Sequence, residues 1–245
     1  MSIFKKFGSK KRRAVSCAAV IAAAGSSQRL GGVNKQFELV GGKPVLAHTL
    51  AAFEQCEQIS EIIVVTREED LARVCDICAA YSISKAGKII VGGETRQDSV
   101  SNGVFAAAKS ATLVAVHDGA RPFVTQDIIT STIAAAKEHY AAAPAIPVTS
   151  TIKRAKNGIV TETVDRDGLF ELQTPQIFAP EVIKAALTNA KNKAIAVTDD
   201  CAAVEQLGFR VRLTDGARDN IKLTTKDDFI LAEAIIKART GNICE

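Results

Sequence analysis

The chain has 245 residues, 47% hydrophobic and 24% charged, enough for one large or two small domains with a buried core and unlike a disordered or fibrous protein. No stretch reaches the roughly eighteen consecutive apolar residues of a membrane-spanning helix, because Gly25 and the polar residues 26–29 cut the first apolar run short. The net charge of +4 is concentrated in Lys5, Lys6, Lys10, Lys11, Arg12 and Arg13; removing these six from 31 bases leaves 25 against 27 acids, so the body has no charge that would recruit nucleic acid or another polyanion.

Residues 1–14 read as a flexible, basic N-terminal arm. The stretch KKRRAVSCAAVIAAAGSSQRLGGVNK, residues 10–35, admits two readings. A basic head, a run of small apolar residues and an Ala-x-Ala-like end are the parts of a cleavable secretory signal. The same residues also make a buried strand that runs into a glycine-bearing turn ending in cations.

Beyond it, short β-branched runs alternate with longer alanine-rich helical patterns. AVSCAAVIA precedes PVLAHTLAAFEQC, EIIVVT precedes EEDLARVCDICAAY, KIIVGG precedes ETRQDSVSNGVFAAAKS, and TLVAVHD precedes TQDIITSTIAAAKEHY. Near-continuous apolar strands separated by helices predict a doubly wound, mostly parallel α/β sheet covered on both faces. Ligands of such sheets bind beyond the carboxyl ends of the strands. The residues directly after each strand are therefore where chemistry is expected.

The pattern changes at Thr149. TSTIKRAKNGIVTETVDRDG shows two polar, β-branched segments around Asn157-Gly158, a strong signal for a tight hairpin. Charges on both faces keep it out of the main sheet, and a long hairpin with no core of its own leans on something else. Residues 149–172 are thus expected to be a projecting arm that pairs with a second subunit, the alternative being a surface hairpin without a partner. A helix over residues 180–191, another from about Asp199, the strand FRVRLTD and the closing helix TKDDFILAEAIIKAR complete a single domain over residues 15–245.

Six cysteines, Cys17, Cys56, Cys75, Cys78, Cys201 and Cys244, show no disulfide framework, which predicts a reducing, cytoplasmic home. Cys75 and Cys78 form a C-x-x-C pair, but no second pair stands at zinc-site spacing and the motif falls in a predicted helix.

Five clusters are compatible with phosphate chemistry. In AAAGSSQRLGGVNK, Gly25 follows a strand and Arg29 and Lys35 supply fixed cations near a small, polar turn, an arrangement that can wrap phosphates or simply connect strand to helix. It is neither a Walker A loop, since Leu30 stands where that motif needs its second glycine, nor a dinucleotide fingerprint, since Gly-x-Gly fails at Ser27. VGGETRQDSV ends a strand with a glycine pair that permits close backbone approach and places Ser99 near a helix start. AVHDGARP puts Asp118 directly after a strand, where it could hold Mg²⁺ with substrate phosphates or brace a loop; His117, inside the apolar strand, reads as a packed residue. TVDRDGLFELQTPQ offers Arg166 at the base of the arm and Thr174 beyond it, and DGARDNIKLTT offers Lys222 before the last helix.

These motifs, with NKQF, TPQIF and TDDCAAVE, occur in the order found in a known family. The chain resembles the 2-C-methyl-D-erythritol 4-phosphate cytidylyltransferases of non-mevalonate isoprenoid synthesis over residues 16–239. The resemblance implies a Rossmann-like nucleotidyltransferase sheet and transfer of CMP from CTP to the polyol phosphate, with release of pyrophosphate. It implies that Arg29 and Lys35 are transition-state cations and that Ala23, Ala24, Gly25, Gly93 and Ser99 hold the nucleotide. It further implies that Asp118 carries Mg²⁺ or another divalent cation. Arg166 and Lys222 would aim the methylerythritol phosphate, with Arg121, Thr151 and Thr198 around its sugar alcohol. Because Thr151 and Arg166 lie on or beside the arm, a homodimer would complete each site.

Departures from the family pattern are Ser27 for a common glycine, Leu30 for a common methionine and Glu94 for a frequent aspartate; none removes an assigned charge. The resemblance also settles the reading of residues 10–35, since cleavage near Ala24 would delete the first strand and cut the nucleotide loop. Two alternatives are a cytidylyltransferase acting on ribitol 5-phosphate and a non-catalytic nucleotide-binding subunit. The contexts of Arg166, Thr198 and Lys222 favour methylerythritol phosphate over the first, and the presence of Arg29, Lys35 and Asp118 argues against the second. The missing glycine fingerprint argues against a nicotinamide-dependent oxidoreductase.

Overall fold

The computed structural model of the protein describes residues 15–25 and 34–241. The basic lead therefore lies outside the described residues, as do Arg29, Ser27 and Leu30.

In chain order the elements begin with β1 (Cys17–Ala22), the short pair β2 (Leu39–Val40) and β3 (Lys43–Pro44), and α1 (Val45–Glu54). Next come β4 (Ile59–Thr66), a single 3-10 turn, α2 (Leu71–Ala80), β5 (Lys88–Val91), α3 (Arg96–Ala106), β6 (Leu113–Asp118) and α4 (Gln126–His139). The second half has β7 (Ala141–Pro147), β8 (Ile152–Lys156), β9 (Ile159–Val164), β10 (Phe170–Leu172), β11 (Gln176–Phe178), α5 (Pro180–Asn192), α6 (Asp200–Glu205), β12 (Arg212–Asp215) and α7 (Lys226–Arg239).

The central sheet runs β10-β7-β11-β6-β1-β4-β5, with β12 also paired to β7. β1 lies parallel to both β4 and β6, β4 is parallel to β5, and β12 is parallel to β7. β10 and β11 run antiparallel to their neighbours. The expected α/β, mostly parallel architecture is therefore present, with a short antiparallel insertion beside β6.

Why the sheet is wound on both sides follows from its strands. β1, CAAVIA, is buried almost throughout, and a strand buried on both faces needs apolar residues at successive positions. One core packs Ile21, Ile62 and Val64 against Leu50 and Phe53 of α1, Val74 of α2 and Ile129 of α4. The other packs Val20, Ile63 and Val65 against Val100 and Val104 of α3, Ile183 of α5 and Val204 of α6. At Gly103 a Cβ would lie 2.3 Å from Val20 Cγ1, so only glycine lets α3 approach β1 this closely. A smaller core joins Val40, Phe123, Leu223 and Ala232, fastening α7 to the segments on either side of the strand ends.

The hairpin forms as its sequence requires. Asn157 and Gly158 take φ of 52° and 78°, the double positive-φ turn that matches strand twist. β8 and β9 make their own two-stranded sheet, with β8 exposed along its length and β9 exposed up to its last residue. Residues 170–172, expected at the end of the arm, are instead strand β10 of the central sheet.

Register brings the carboxyl ends together. Ala22 sits opposite both Val65 and Asp118, and Thr66 opposite Val91. The turns after β1, β4, β5 and β6 therefore share one rim.

Candidate active site

Asp118 is the last residue of β6 and its side chain is 10% exposed. Lys222 Nζ approaches its Oδ2 at 2.9 Å, Arg121 Nε reaches the same oxygen at 3.5 Å, and Arg96 Nη2 lies 3.6 Å from Oδ1. Burial alone would push the carboxyl up; Lys222, then Arg96 and Arg121, overcome it and hold the group well below the usual carboxylate range. Asp118 is thus a buried anion that stays ionised because three cations surround it.

The two guanidinium groups are themselves held. Arg121 donates from Nη1 to the Asn220 carbonyl at 2.7 Å. Arg96, the first residue of α3, donates from both terminal nitrogens to Asp200, at 3.3 and 2.9 Å, the forked geometry for which guanidinium is suited. Asp200 is 1% exposed; burial raises its pKa, with Arg96 opposing. The N-terminus of α6 is fixed to β11 by Gln176, whose Oε1 accepts from the backbone of Asp200 and Cys201 and whose Nε2 donates to Asp199.

Beside this cluster a cavity of about 200 Å³ is lined by Ala24, Thr66, Arg67, Glu68, Val91, Gly92 and Gly93. Two of its glycines are sterically required. A Cβ on Gly92 would stand 2.7 Å from both Ala24 Cβ and Ser99 Oγ, and one on Gly93 would stand 2.3 Å from Asp98 Cβ. Ser99, buried in α3, accepts the Gly93 N–H at 3.0 Å and donates to the Thr95 carbonyl. The larger open hollow of about 780 Å³ at Gln55, Gln58, Gln126 and Thr130 contains none of the predicted site residues and no strand-end glycine, so the smaller cavity is the better candidate for a ligand.

Lys35 lies half-buried in the turn after the undescribed segment. Its neighbours are well fixed: Asn34 donates to Asp70 Oδ2 at 2.7 Å, Gln36 donates its N–H to Asn34 Oδ1, and the Arg73 guanidinium covers the Phe37 ring at 4.1 Å. Asp70 Oδ2 also accepts from Arg67 Nε at 2.7 Å, so one carboxylate oxygen joins the Lys35 turn to the cavity wall.

Of the residues expected from sequence, Asp118, Arg121 and Lys222 are in direct contact, and Gly93 and Ser99 are hydrogen-bonded beside Ala24. Ala23 is buried and donates its N–H to the Val65 carbonyl at 2.8 Å, while Gly25 is exposed. Thr198 is exposed just before the Asp199 cap of α6. Thr151 and Arg166 are exposed at the base of the hairpin, where Arg166 donates to the Thr149 carbonyl; among the described residues no hydrogen bond or ion pair links either to Asp118. Arg29 lies outside the described residues.

Sequence reading did not single out Arg96, Asp200 or Asn220. Arg96 and Asp200 stand in quoted motifs, at the first turns of α3 and α6, and a charge opening a helix at a strand end was the available signal. The C-x-x-C pair lies on α2, where burial pushes the Cys78 thiol up to about 11, away from reactive thiolate chemistry. Among the described residues no three His, Cys, Asp or Glu side chains converge as a metal cage.

A doubly wound sheet with a glycine-walled cavity and an ionised carboxylate among cations at its strand ends defines an α/β protein of the nucleotidyltransferase fold. The family model IspD, 2-C-methyl-D-erythritol 4-phosphate cytidylyltransferase, matches residues 17–238. The chain is 44% identical to the 2-C-methyl-D-erythritol 4-phosphate cytidylyltransferase of Halalkalibacterium halodurans, with 89% of this chain and 95% of that protein aligned. It is likewise 44% identical to that of Bacillus velezensis, over 91% of this chain and 97% of the relative. A crystal structure of 4-diphosphocytidyl-2C-methyl-D-erythritol synthase from Anaerococcus prevotii superposes with a TM-score of 0.83 at 32% identity, covering 91% of this chain and 97% of that one. The chain belongs to the 2-C-methyl-D-erythritol 4-phosphate cytidylyltransferase family.

Proposed function

We propose that this protein transfers the cytidylyl group of CTP to 2-C-methyl-D-erythritol 4-phosphate, giving 4-diphosphocytidyl-2-C-methyl-D-erythritol and pyrophosphate, in isoprenoid precursor synthesis. The carrying observation is that a family member over nearly its whole length places Asp118 among Arg96, Arg121 and Lys222 beside a glycine-walled cavity.

In the reaction an oxygen of the acceptor phosphate attacks the α-phosphorus of CTP, a new P–O bond forms, and the bond to the β-phosphate oxygen breaks. Pyrophosphate leaves with that electron pair. The enzyme's task is positioning and charge stabilisation on the five-coordinate phosphorus. Lys35 and Arg29 supply cations to the triphosphate. The cavity beside Gly92, Gly93 and Ser99 takes the cytosine, and the absence of Cβ atoms lets Ala24, Ser99 and Asp98 pack directly against its glycine wall. Lys222 grips the acceptor phosphate, with Arg121 and Thr198 around its sugar alcohol.

A divalent cation fits Asp118 in one way. The carboxylate is ionised, its Oδ1 has only the 3.6 Å approach of Arg96 among the described ion pairs, and among the described residues no three His, Cys, Asp or Glu side chains form a cage around it. This matches Mg²⁺ shared between one carboxylate, phosphates and water. When bound, Mg²⁺ would neutralise charge on the triphosphate.

The arm carries Ile152, Ile159 and Val160 at 37%, 71% and 56% exposure. We read it as a dimerisation arm that brings Thr151 and Arg166 to the neighbouring subunit's acceptor site. Free, scattered cysteines support a cytoplasmic setting, and no helix among the described residues is long and apolar enough to cross a membrane.

Pyrophosphate release with CTP and Mg²⁺ tests the assignment, with methylerythritol phosphate and ribitol 5-phosphate offered in parallel and ATP, GTP and UTP as controls. Release with CTP and methylerythritol phosphate alone is expected. Release only with ribitol phosphate would change the acceptor, and silence with both would overturn the activity.

A further inference from the structure

His117 has no assigned part in the transfer, yet it is fully buried directly before the β6 turn that carries Asp118 and Arg121. Its ring packs on Phe53 with centroids 4.9 Å apart. Nε2 lies 3.1 Å from the Arg121 carbonyl oxygen, and Nδ1 lies 2.9 Å from Thr174 Oγ1. A carbonyl can only accept, so Nε2 carries a proton; in the neutral ring Nδ1 is then the acceptor. Thr174 must then donate its hydroxyl to Nδ1, while the same oxygen accepts the Asp118 backbone N–H at 3.2 Å.

The result is a chain of hydrogen bonds with one direction: Asp118 N–H to Thr174 oxygen, Thr174 hydroxyl to Nδ1, Nε2–H to Arg121 carbonyl. It continues into the loop bearing Lys222. The Thr174 carbonyl accepts from Asn220 Nδ2 at 3.2 Å, the Asn220 carbonyl accepts from Arg121 Nη1, and Leu223 N–H donates to the Ala120 carbonyl. Lys222 comes from a segment far in sequence from the turn that carries Asp118 and Arg121, and the imidazole sits where that turn is braced.

We propose that His117 is a positioning residue for the acceptor half of the site: as a neutral Nε2–H imidazole it spans the turn from Asp118 to Arg121 and locks that turn to Thr174. This rests on the acceptor roles given above to Arg121 and Lys222. Both ring nitrogens are occupied by protein groups and the ring has no solvent exposure, so it neither takes a proton from substrate nor binds a metal.

Two measurements test the inference. Nitrogen-15 spectra of the labelled wild-type protein at neutral pH should show one buried histidine as the neutral Nε2–H tautomer. An imidazolium or the Nδ1–H tautomer at His117 would overturn the proposal even if no variant folds. In kinetics, His117→Phe keeps a ring against Phe53 but removes both hydrogen bonds. It should lower kcat about 100-fold, the scale of a misplacement near 1 Å, and raise KM for methylerythritol phosphate, with CTP affinity changed less than about twofold. His117→Asn, which can restore the Thr174 link, and His117→Gln, which can restore the Arg121 link, should each recover part of the loss. Wild-type kinetics in His117→Phe, or equal loss of affinity for both substrates, would overturn the proposal. A wild-type protein that releases no pyrophosphate would remove the functional reading and this inference with it; an active wild type with an indifferent His117→Phe would remove the inference alone.

Discussion

Lys222 Nζ stands 2.9 Å from Asp118 Oδ2, so the cation assigned to the acceptor phosphate and the carboxylate assigned to the metal neutralise each other before either substrate arrives. On the proposed assignments, an incoming phosphate would compete for Lys222, and release of Lys222 would expose the carboxylate. Lys222→Met keeps length and apolar stem but deletes the charge. It should lower kcat/KM for methylerythritol phosphate about 100-fold or more and leave the fold intact, because the lysine side chain is 38% exposed. Steady-state kinetics with circular dichroism of the variant check this; wild-type kcat/KM would contradict the assignment of Lys222.

Asp118→Asn removes the anion while preserving shape. With Arg96, Arg121 and Lys222 left facing a neutral amide, the triphosphate itself should still be attracted. The expected signature is therefore a large fall in kcat with a rise in the Mg²⁺ concentration needed for half-maximal rate, and little loss in CTP affinity. Titration of Mg²⁺ at saturating substrates measures it; an unchanged Mg²⁺ dependence would mean that Asp118 does not hold the metal.

How much of this was legible beforehand can be read from particular elements. The parallel half of the sheet was, because β1, β4 and β6 are continuous β-branched or alanine runs and each is followed by a helix. The hairpin was, because Asn157-Gly158 demands a positive-φ turn. β7 was not: AAAPAIP holds two prolines and four alanines, poor strand formers that are held in place by pairing to β10, β11 and β12. Three-residue strands such as β10 and β11 have too few positions to show a period. At the site, Asp118 and Lys222 stood out as charges after a strand and before a helix. The Arg96–Asp200 pair and the Asn220 staple did not, since contacts between segments so far apart in the chain leave no spacing in sequence to detect.

The glycine wall gives a steric prediction. In Gly92→Ala the new methyl would meet Ala24 Cβ and Ser99 Oγ at 2.7 Å, and overpacking of this kind costs about 1–3 kcal/mol. Thermal unfolding should shift down by roughly 2–4 °C per kcal/mol, and KM for CTP should rise more than KM for methylerythritol phosphate. Equal KM effects would place the nucleotide elsewhere.

Acid stability follows from three buried groups. Burial holds the folded pKa of His117 down at about 4 against an ordinary 6.5, so above 6.5 it is neutral in both states. As pH falls from 6.5 towards 4 the unfolded chain binds the proton first, and stability declines by up to about 1.4 kcal/mol per pH unit. Asp118, held below its ordinary 3.8, withdraws its contribution only under strongly acidic conditions. Asp200, raised above 3.8, acts oppositely: its folded state binds the proton first, so above 3.8 it opposes part of the His117 loss. Chemical denaturation across pH 4–7 should show wild-type stability falling with acid, and His117→Phe should flatten that slope. A slope unaltered by the substitution would contradict the depressed pKa of His117.

The arm leads to a complementation test. If Arg166 reaches the site of the neighbouring subunit, an Arg166→Ala dimer and an Asp118→Ala dimer are each inactive, but a mixed dimer contains one site with an intact Asp118 and an intact Arg166 from opposite chains. Random exchange makes half the dimers mixed, with one working site of two, so the mixture should recover about a quarter of wild-type activity, as expected for two-fold symmetric assembly. Recovery requires exchange, which brief dissociation at low protein concentration would allow. Charged substitutions at the exposed Ile159 and Val160 should shift the protein to monomers in sedimentation analysis and abolish activity together. No recovery from a verified mixed dimer would place Arg166 and Asp118 of the same chain in one site, and an active monomer would leave the arm without a catalytic role.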